Sequence, residues 1–293
     1  MYSLVIQKVR RMDQQPLEFD SAIAEYYGRA PEERRLEEGP FLLEALRTRE
    51  LIERHAPAPP AIVLDIGGAA GAYALWLAEA GYSVHLIDPI PRLVAEAERR
   101  SGAAPRPLAS CRVGDARSLT FSDETADVVL LLGPLYHLTA AQDRARALDE
   151  AARVLKPGGC LFAATICRWA SVLDGLARDL FQDSQFAAIA EQDLRDGQHR
   201  NVSARLDYFT TAYFHRPEDL HAEVLDAGLE VVGVFGIEGP GWILPDVAAR
   251  LADDRRRADL LHVARLLESE PSMRAASAHL LAVARKPAQE KSA

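Results

Sequence analysis

The stretch from Val63 to Gly71, VLDIGGAAG, sets Asp65 just ahead of Gly67, Gly68 and Gly71. The run leading into it, AIVLDI, is short, apolar and β-branched, which predicts a strand buried on both faces; the run after it, AYALWLAEAG, predicts a helix closed by Gly81. A glycine turn between strand and helix lets bare backbone N–H groups and the helix N-terminus approach a ligand without side-chain obstruction. That chemistry suits several nucleotide cofactors. The spacing reads D-x-G-x-x-x-G rather than G-x-G-x-x-G, and the absence of a following Lys-Ser or Lys-Thr excludes a P-loop.

Two further acids close strand-like runs. Asp88 ends YSVHLID, about twenty residues beyond the glycine turn, where a carboxylate can accept both hydroxyls of a ribose; standing before Pro89 and Pro91, it can equally cap the next helix. Asp115 ends PLASCRVGD, and LLLGPLYHL closes the next apolar run with Gly133, Tyr136 and His137. Further on, RLDYFTTAYFHRPEDL gathers Tyr208, Phe209, Tyr213, Phe214 and His215 ahead of a helix. An aromatic wall for an apolar or planar ligand would use such residues, and so would an ordinary core. Thr210 and Pro217 suit the bend and the first helical turn under either reading.

These residues need a scaffold that brings strand ends together. YSVHLID, PLASCRVGD, TADVVLLLG and CLFAATI read as strands, interleaved with the helical stretches PRLVAEAERRSG, closed by Gly102, and AAQDRARALDEAARVLKPGG. Right-handed crossovers turn this alternation into a parallel sheet covered by helices on both faces. Upstream, EEGPFLLEALRTRELIERHA shows apolar residues at helical spacing before the APAPPA break, which predicts a helical N-terminal cap and lid over residues 1–58. The core then occupies 59–166. Residues 167–216 read as a mostly helical insertion, and 217–287 as the remainder of the core: helix PEDLHAEVLDAG, strand LEVVGVFGI, more helices over about 244–274, and the last strand HLLAVARK. The expected fold class is α/β, a seven-stranded mostly parallel sheet with helices on both faces. Insertions at the carboxyl ends of its strands would roof a ligand site and recognise an acceptor; they could also thicken the fold or form a homodimer interface. The tail, 288–293, reads as disordered.

At 293 residues and 48% hydrophobic content, the chain suits one α/β core with insertions. A net charge of -9, with arginines interspersed among acids, argues against a nucleic-acid partner. No apolar run reaches membrane-spanning length and the N-terminus lacks the apolar stretch of a signal peptide, so a cytoplasmic protein without membrane contact is expected. Cys111, Cys160 and Cys167 lack C-x-x-C spacing and read as buried free thiols. The eight histidines are scattered and no H-E-x-x-H occurs, so no metal site is expected.

Taken in order, these segments resemble the class I, Rossmann-like S-adenosylmethionine-dependent methyltransferases of small-molecule type, whose first motif has the form D/E-x-G-x-G-x-G. Ala69 stands where the middle glycine is usual and narrows the approach to the cofactor. RVLKPGGCLF, Arg153 to Phe162, matches the turn before strand five, and the resemblance covers about residues 60 to 166. It implies S-adenosyl-L-methionine as cofactor and S-adenosyl-L-homocysteine as product. It assigns Asp65, Gly67, Gly68 and Gly71 to the cofactor turn, Asp88 to the ribose, Ile90 to the adenine ring and Asp115 to its amino group, with Pro89, Gly114 and Ala116 beside them as cofactor-binding residues. Leu132 and Gly133 lie at the end of strand four beside the cofactor. AEYYGRAPEE resembles the lid segment, with Tyr27 closing over the methionine end and Tyr26 as its substitute. The family's last strand runs antiparallel beside the fifth, a place that HLLAVARK can fill.

Methyl transfer from a sulfonium is an in-line displacement with an activated leaving group, so the protein chiefly holds the acceptor atom behind the methyl carbon and excludes water. A base helps where the acceptor is a hydroxyl or a protonated amine. His137 is the first candidate and His215 the second, although His137 also reads as a loop histidine bonded to backbone. Tyr26, Tyr136, Tyr208 and Tyr213 are the candidate acceptor contacts. The expected activity is methylation of an O or N atom of a small-molecule or short-peptide acceptor. A peptide or protein carboxylate or amine, and a non-catalytic cofactor-binding subunit, are the alternatives.

Overall fold

The computed structural model describes residues 20–29, 35–203 and 205–288; the expectations placed on 1–19, 30–34 and 289–293 lie outside them. The chain begins with α1 (Ser21–Arg29) and α2 (Leu42–His55), and the proline-rich break then leads into β1 (Ile62–Ile66). There follow α3 (Ala72–Ala80), β2 (Ser83–Asp88), α4 (Pro91–Ala103), β3 (Ser110–Val113), β4 (Ala126–Leu131), the single turn α5 (Pro134–His137), α6 (Ala141–Val154) and β5 (Leu155–Ile166). After β5 come α7 (Ala170–Ala177), α8 (Ser184–Asp196), the two-residue strands β6 (Gln198–His199) and β7 (Ala212–Tyr213), and α9 (Pro217–Asp226). Strand β8 (Glu230–Gly236), helices α10 (Val247–Ala252) and α11 (Asp254–Leu267), and β9 (His279–Arg285) complete the described chain.

Seven strands form one sheet in the order β3-β2-β1-β4-β5-β9-β8, with β9 antiparallel to both its neighbours and the pairs from β3 to β5 parallel, as expected. The unbroken apolar runs are explained by burial on both faces. Leu64, Ile66, Val129, Leu131, Leu161 and Ala163 pack with Leu148 and Ala151 of α6 and Leu220 and Val224 of α9. Their alternate neighbours Val63, Val128, Leu130, Cys160 and Phe162 face Leu51 and Ile52 of α2, Ala74 and Leu77 of α3, and Val94 and Ala97 of α4. The chain steps outward from β1 to β3 and returns to β4 on the other side of β1. That reversal opens a crevice at the carboxyl ends of β1 and β4, where side chains and loops from both halves can meet.

Local boundaries differ from the sequence pattern in three places. Helix α4 runs through Gly102 to Ala103, the Lys156–Gly159 turn is absorbed into β5, and the 167–216 insertion contains the β6–β7 hairpin among its helices. A two-residue strand is too short to show a period, and the hairpin is held by a buried knot instead. Ser171 and His199 both bond to Asp193 Oδ2, at 2.5 and 2.9 Å.

Arg47 fixes the N-terminal cap to the C-terminal half. It is fully buried on α2, donates to the Ile237 carbonyl at 3.2 Å, and pairs with Glu50 and with Glu268, which Arg54 also engages. Removing one member of such a buried network strands the others. Arg47→Met should cost about 3 kcal/mol in urea unfolding at unchanged m-value, and Arg47→Met with Glu268→Gln should recover part of that. A single variant as stable as the parent would show the network to be idle.

Candidate functional site

A cavity of about 820 Å³ lies over the crevice between β1 and β4. The glycine turn forms its floor, suspended from the end of β2. Gly67 and Gly68 donate their N–H groups to the Ile87 carbonyl at 2.7 and 3.3 Å, and Ala69 donates to Asp88 Oδ2 at 2.9 Å. Asp88 Oδ1 accepts the Ile90 N–H at 2.8 Å, so one carboxylate sets both the glycine turn and the start of α4. Gly67 sits at φ +75°, and a Cβ there would lie 2.7 Å from the Pro134 ring; one on Gly68 would meet Asp65 Oδ2 at 2.7 Å. Close approach of β1, β4 and Asp65 therefore demands bare backbone at both positions. Ala69 adopts φ +46°, so the cost of alanine in the glycine-rich motif includes backbone strain, roughly 1–2 kcal/mol, offset in part by its bond to Asp88.

Beneath the turn Asp65 is buried, and its Oδ2 has no hydrogen-bond partner among the described residues. Burial, and then the neighbouring Asp88 charge, push its carboxyl up to about 7. Burial likewise raises Asp88 to about 6, against the pull of the Ile90 and Ala69 N–H groups. At one end of the cavity, Asp115 is gripped by Arg117, whose Nε and Nη2 donate to Oδ1 and Oδ2 at 3.0 and 2.7 Å and whose Nη1 reaches Asp143 at 3.1 Å.

The opposite end is aromatic. His137 Nδ1 faces the Thr211 carbonyl at 3.4 Å, which can only accept, so this nitrogen carries the proton and Nε2 accepts from the Tyr27 hydroxyl at 2.7 Å. Burial pushes His137 down to about 4, and it is neutral at pH 7. Helix α1 crosses this end as a strap: Arg92 donates to the Tyr27 carbonyl at 2.7 Å, Thr210 donates to the Ala22 carbonyl at 3.3 Å, and Tyr26 packs edge-on to Phe209.

The structure brings Tyr27, Asp65, Gly67, Gly68, Asp88, Pro89, Ile90, Gly114, Asp115, Ala116, Leu132, Gly133, Tyr136 and His137 to this one cavity. Gly71 does not line it; at φ +85° it caps α3. Four further candidates, Tyr26, Tyr208, Tyr213 and His215, do not line it. His215 is buried against Glu223 at 3.2 Å, and Tyr213 lies against the guanidinium groups of Arg144 and Arg168. Tyr208 bonds to Asp183 and packs on Phe186 in the insertion's own small core, and Tyr26 stands behind Tyr27. Tyr208, Tyr213 and His215 are thus engaged within the insertion and its neighbours, while Phe209 comes close to Tyr136 and His137.

Other cavity residues carry no motif of their own: Asp20, Ile23, Arg35, Glu44, Tyr73, Arg117, Thr139 and Asp143. The Asp-x-Arg spacing of Asp115 and Arg117 is their one legible trace. Glu44, Glu238 and His279 bring donor atoms within 4.8 Å of one another. Burial opposes a charge on His279, but Glu44 and Glu238 outweigh it and raise its pKa, and Arg35 pairs with Glu44, so this cluster supplies its own cations.

Because the folded state holds the Asp65 proton more tightly than an ordinary carboxyl at 3.8, the associated stability is complete below that value and is lost as pH rises through about 7. Asp65→Asn should therefore gain stability over the parent between pH 5 and pH 8, by on the order of 2 kcal/mol. Parallel unfolding curves across that range would contradict the assignment.

Residues 64–163 match the family model described as a methyltransferase domain. An uncharacterised methyltransferase of Mycobacterium bovis is 36% identical over 112 residues, 38% of this chain and 42% of that protein, so the match spans about two fifths of this relative's length. A ubiquinone/menaquinone biosynthesis C-methyltransferase, UbiE, of Acidiphilium cryptum is 29% identical over 204 residues, 67% of this chain and 79% of that protein. A solved S-adenosylmethionine-dependent methyltransferase structure from Methanosarcina mazei shares the fold at a TM-score of 0.55 and 18% identity, covering 82% of this chain and 98% of that one. Residues 64–163, which hold the glycine turn and the strand-end acids, thus match a methyltransferase domain, and the chain shares the fold of a solved S-adenosylmethionine-dependent methyltransferase.

Proposed function

We propose that this protein transfers a methyl group from S-adenosyl-L-methionine to an O or N atom of a small, planar acceptor, releasing S-adenosyl-L-homocysteine. The observation that carries the reading is one cavity that joins the glycine turn, Asp88 and Asp115 to a wall of Tyr27, Tyr136 and His137. The residues fit the cofactor. Each Asp88 oxygen uses one acceptor site on backbone and keeps another for ribose hydroxyls. Ile90 offers an apolar face to the purine, Asp115 a carboxylate to its amino group, and the turn from Gly67 to Ala70 unobstructed backbone to the amino-acid end. When bound, the cofactor supplies an electrophilic methyl carbon on a positively charged sulfur.

The chain's own residues then have positioning and exclusion to perform. Helix α1 straps the cavity from the Arg92 side to the Thr210 side, which suits an enclosed metabolite better than a protein surface. Neutral His137 orients the Tyr27 hydroxyl and, with its pKa held near 4 by burial, is a weak base at pH 7. It serves the transfer by accepting a hydrogen bond, and a full proton is left to solvent or to the acceptor's own chemistry. The relative from Acidiphilium cryptum is named as a C-methyltransferase, so a carbon acceptor belongs in the same screen.

Calorimetric titration should give micromolar affinity for S-adenosylmethionine and S-adenosylhomocysteine and none for nicotinamide dinucleotides. That affinity should fall as pH drops below about 6, where Asp88 takes up a proton. Asp88→Asn should flatten this dependence, and Asp88→Ala should cost about 1–3 kcal/mol of binding. Dinucleotide preference, or an Asp88 variant that binds like the parent, would overturn the reading. His137→Ala and Tyr27→Phe should leave cofactor affinity within about twofold and lower turnover about tenfold or more, as expected for loss of a positioned group. Equal turnover would make the pair a structural contact.

A further inference from the structure

The geometry points to Arg117 as a positioning residue that turns Asp115 into a selective reader of an exocyclic amino group on the cofactor's base, an inference that rests on the cofactor reading above. A carboxylate has about four acceptor sites. On Asp115, Oδ1 accepts both the backbone N–H of Arg117 at 2.8 Å and its Nε at 3.0 Å, and Oδ2 accepts Nη2 at 2.7 Å. One acceptor site on Oδ2 is left, and Asp115 lines the cavity.

Arg117 is itself anchored from behind by Asp143, and its side chain is only 6% exposed. A fork held at both ends fixes the plane of the carboxylate, which an ammonium could not do. With three of its acceptor sites satisfied inside the protein, Asp115 can take one further N–H donor in one direction. A base presenting an amino group at that point completes the set, whereas one presenting an oxo group sets oxygen against oxygen. Asp115 and Asp143 both pair with Arg117.

The test compares binding of S-adenosylhomocysteine with that of S-inosylhomocysteine, which carries an oxo group in place of the amino group, to the parent, Arg117→Gln and Arg117→Lys. The parent should prefer the amino ligand by about tenfold or more, the worth of a hydrogen bond to a charged acceptor. Arg117→Gln should shrink that ratio below about threefold while its thermal midpoint identifies a folded protein. Arg117→Lys keeps the charge without the fork and should also lose discrimination, which provides the readout if the glutamine variant does not fold. A variant that binds with the parent's ratio would overturn the inference. A parent that binds both ligands equally would overturn it while leaving the cofactor reading intact. A parent that binds neither would remove both.

Discussion

Asp88 holds two backbone N–H groups on its two oxygens, one from the glycine turn and one from the start of α4, at a point where β2 ends and water is nearly excluded. Everything around the cavity depends on that suspension. It fixes Ala69 in a left-handed conformation, aligns the turn with the Ile87 carbonyl, and brings a second acid, Asp65, beneath the same turn. Burying two carboxylates side by side is costly, and it shows as raised proton affinity in both. Strain and charge concentrated in one turn of an otherwise regular sheet mark a site built for a ligand rather than for stability.

The two ends of the cavity are arranged on different physical terms. At one end, Asp115, Arg117 and Asp143 form a polar chain in which the Arg117 guanidinium spans two carboxylates. At the other end, Tyr27 and Tyr136 meet His137 edge to face, Phe209 lies tilted against it, and the Tyr27 hydroxyl bonds to the His137 ring. Under the proposed function, such a division separates recognition of the cofactor from recognition of the acceptor. Helix α1 belongs to the second end, since its contacts with Arg92 and Thr210 span from α4 to the insertion.

Much of this was legible in the sequence because fully buried parallel strands write themselves as unbroken apolar runs. AIVLDI and TADVVLLL needed no alternation to be read, and the acids closing them or their neighbours fell at strand ends, where a parallel sheet exposes its ligand face. Residues whose role depends on tertiary placement were not legible. Tyr208, Tyr213 and His215 look like an aromatic wall in one dimension, but Asp193 and His199 fold the insertion so that those rings are buried in it or paired with arginines. Glu44 reaches the cavity from α2 and Arg35 from the segment before it, paired with Glu44, and the clamp on Asp115 depends on a local turn that spacing alone does not reveal.

The most direct test of the central claim is a crystal structure with S-adenosylhomocysteine bound at saturation. The account predicts both ribose hydroxyls on Asp88, the base amino group on Asp115, and the sulfur facing the wall of Tyr27, Tyr136 and His137. A ligand seated elsewhere, or in this cavity with its ribose away from Asp88, would contradict it.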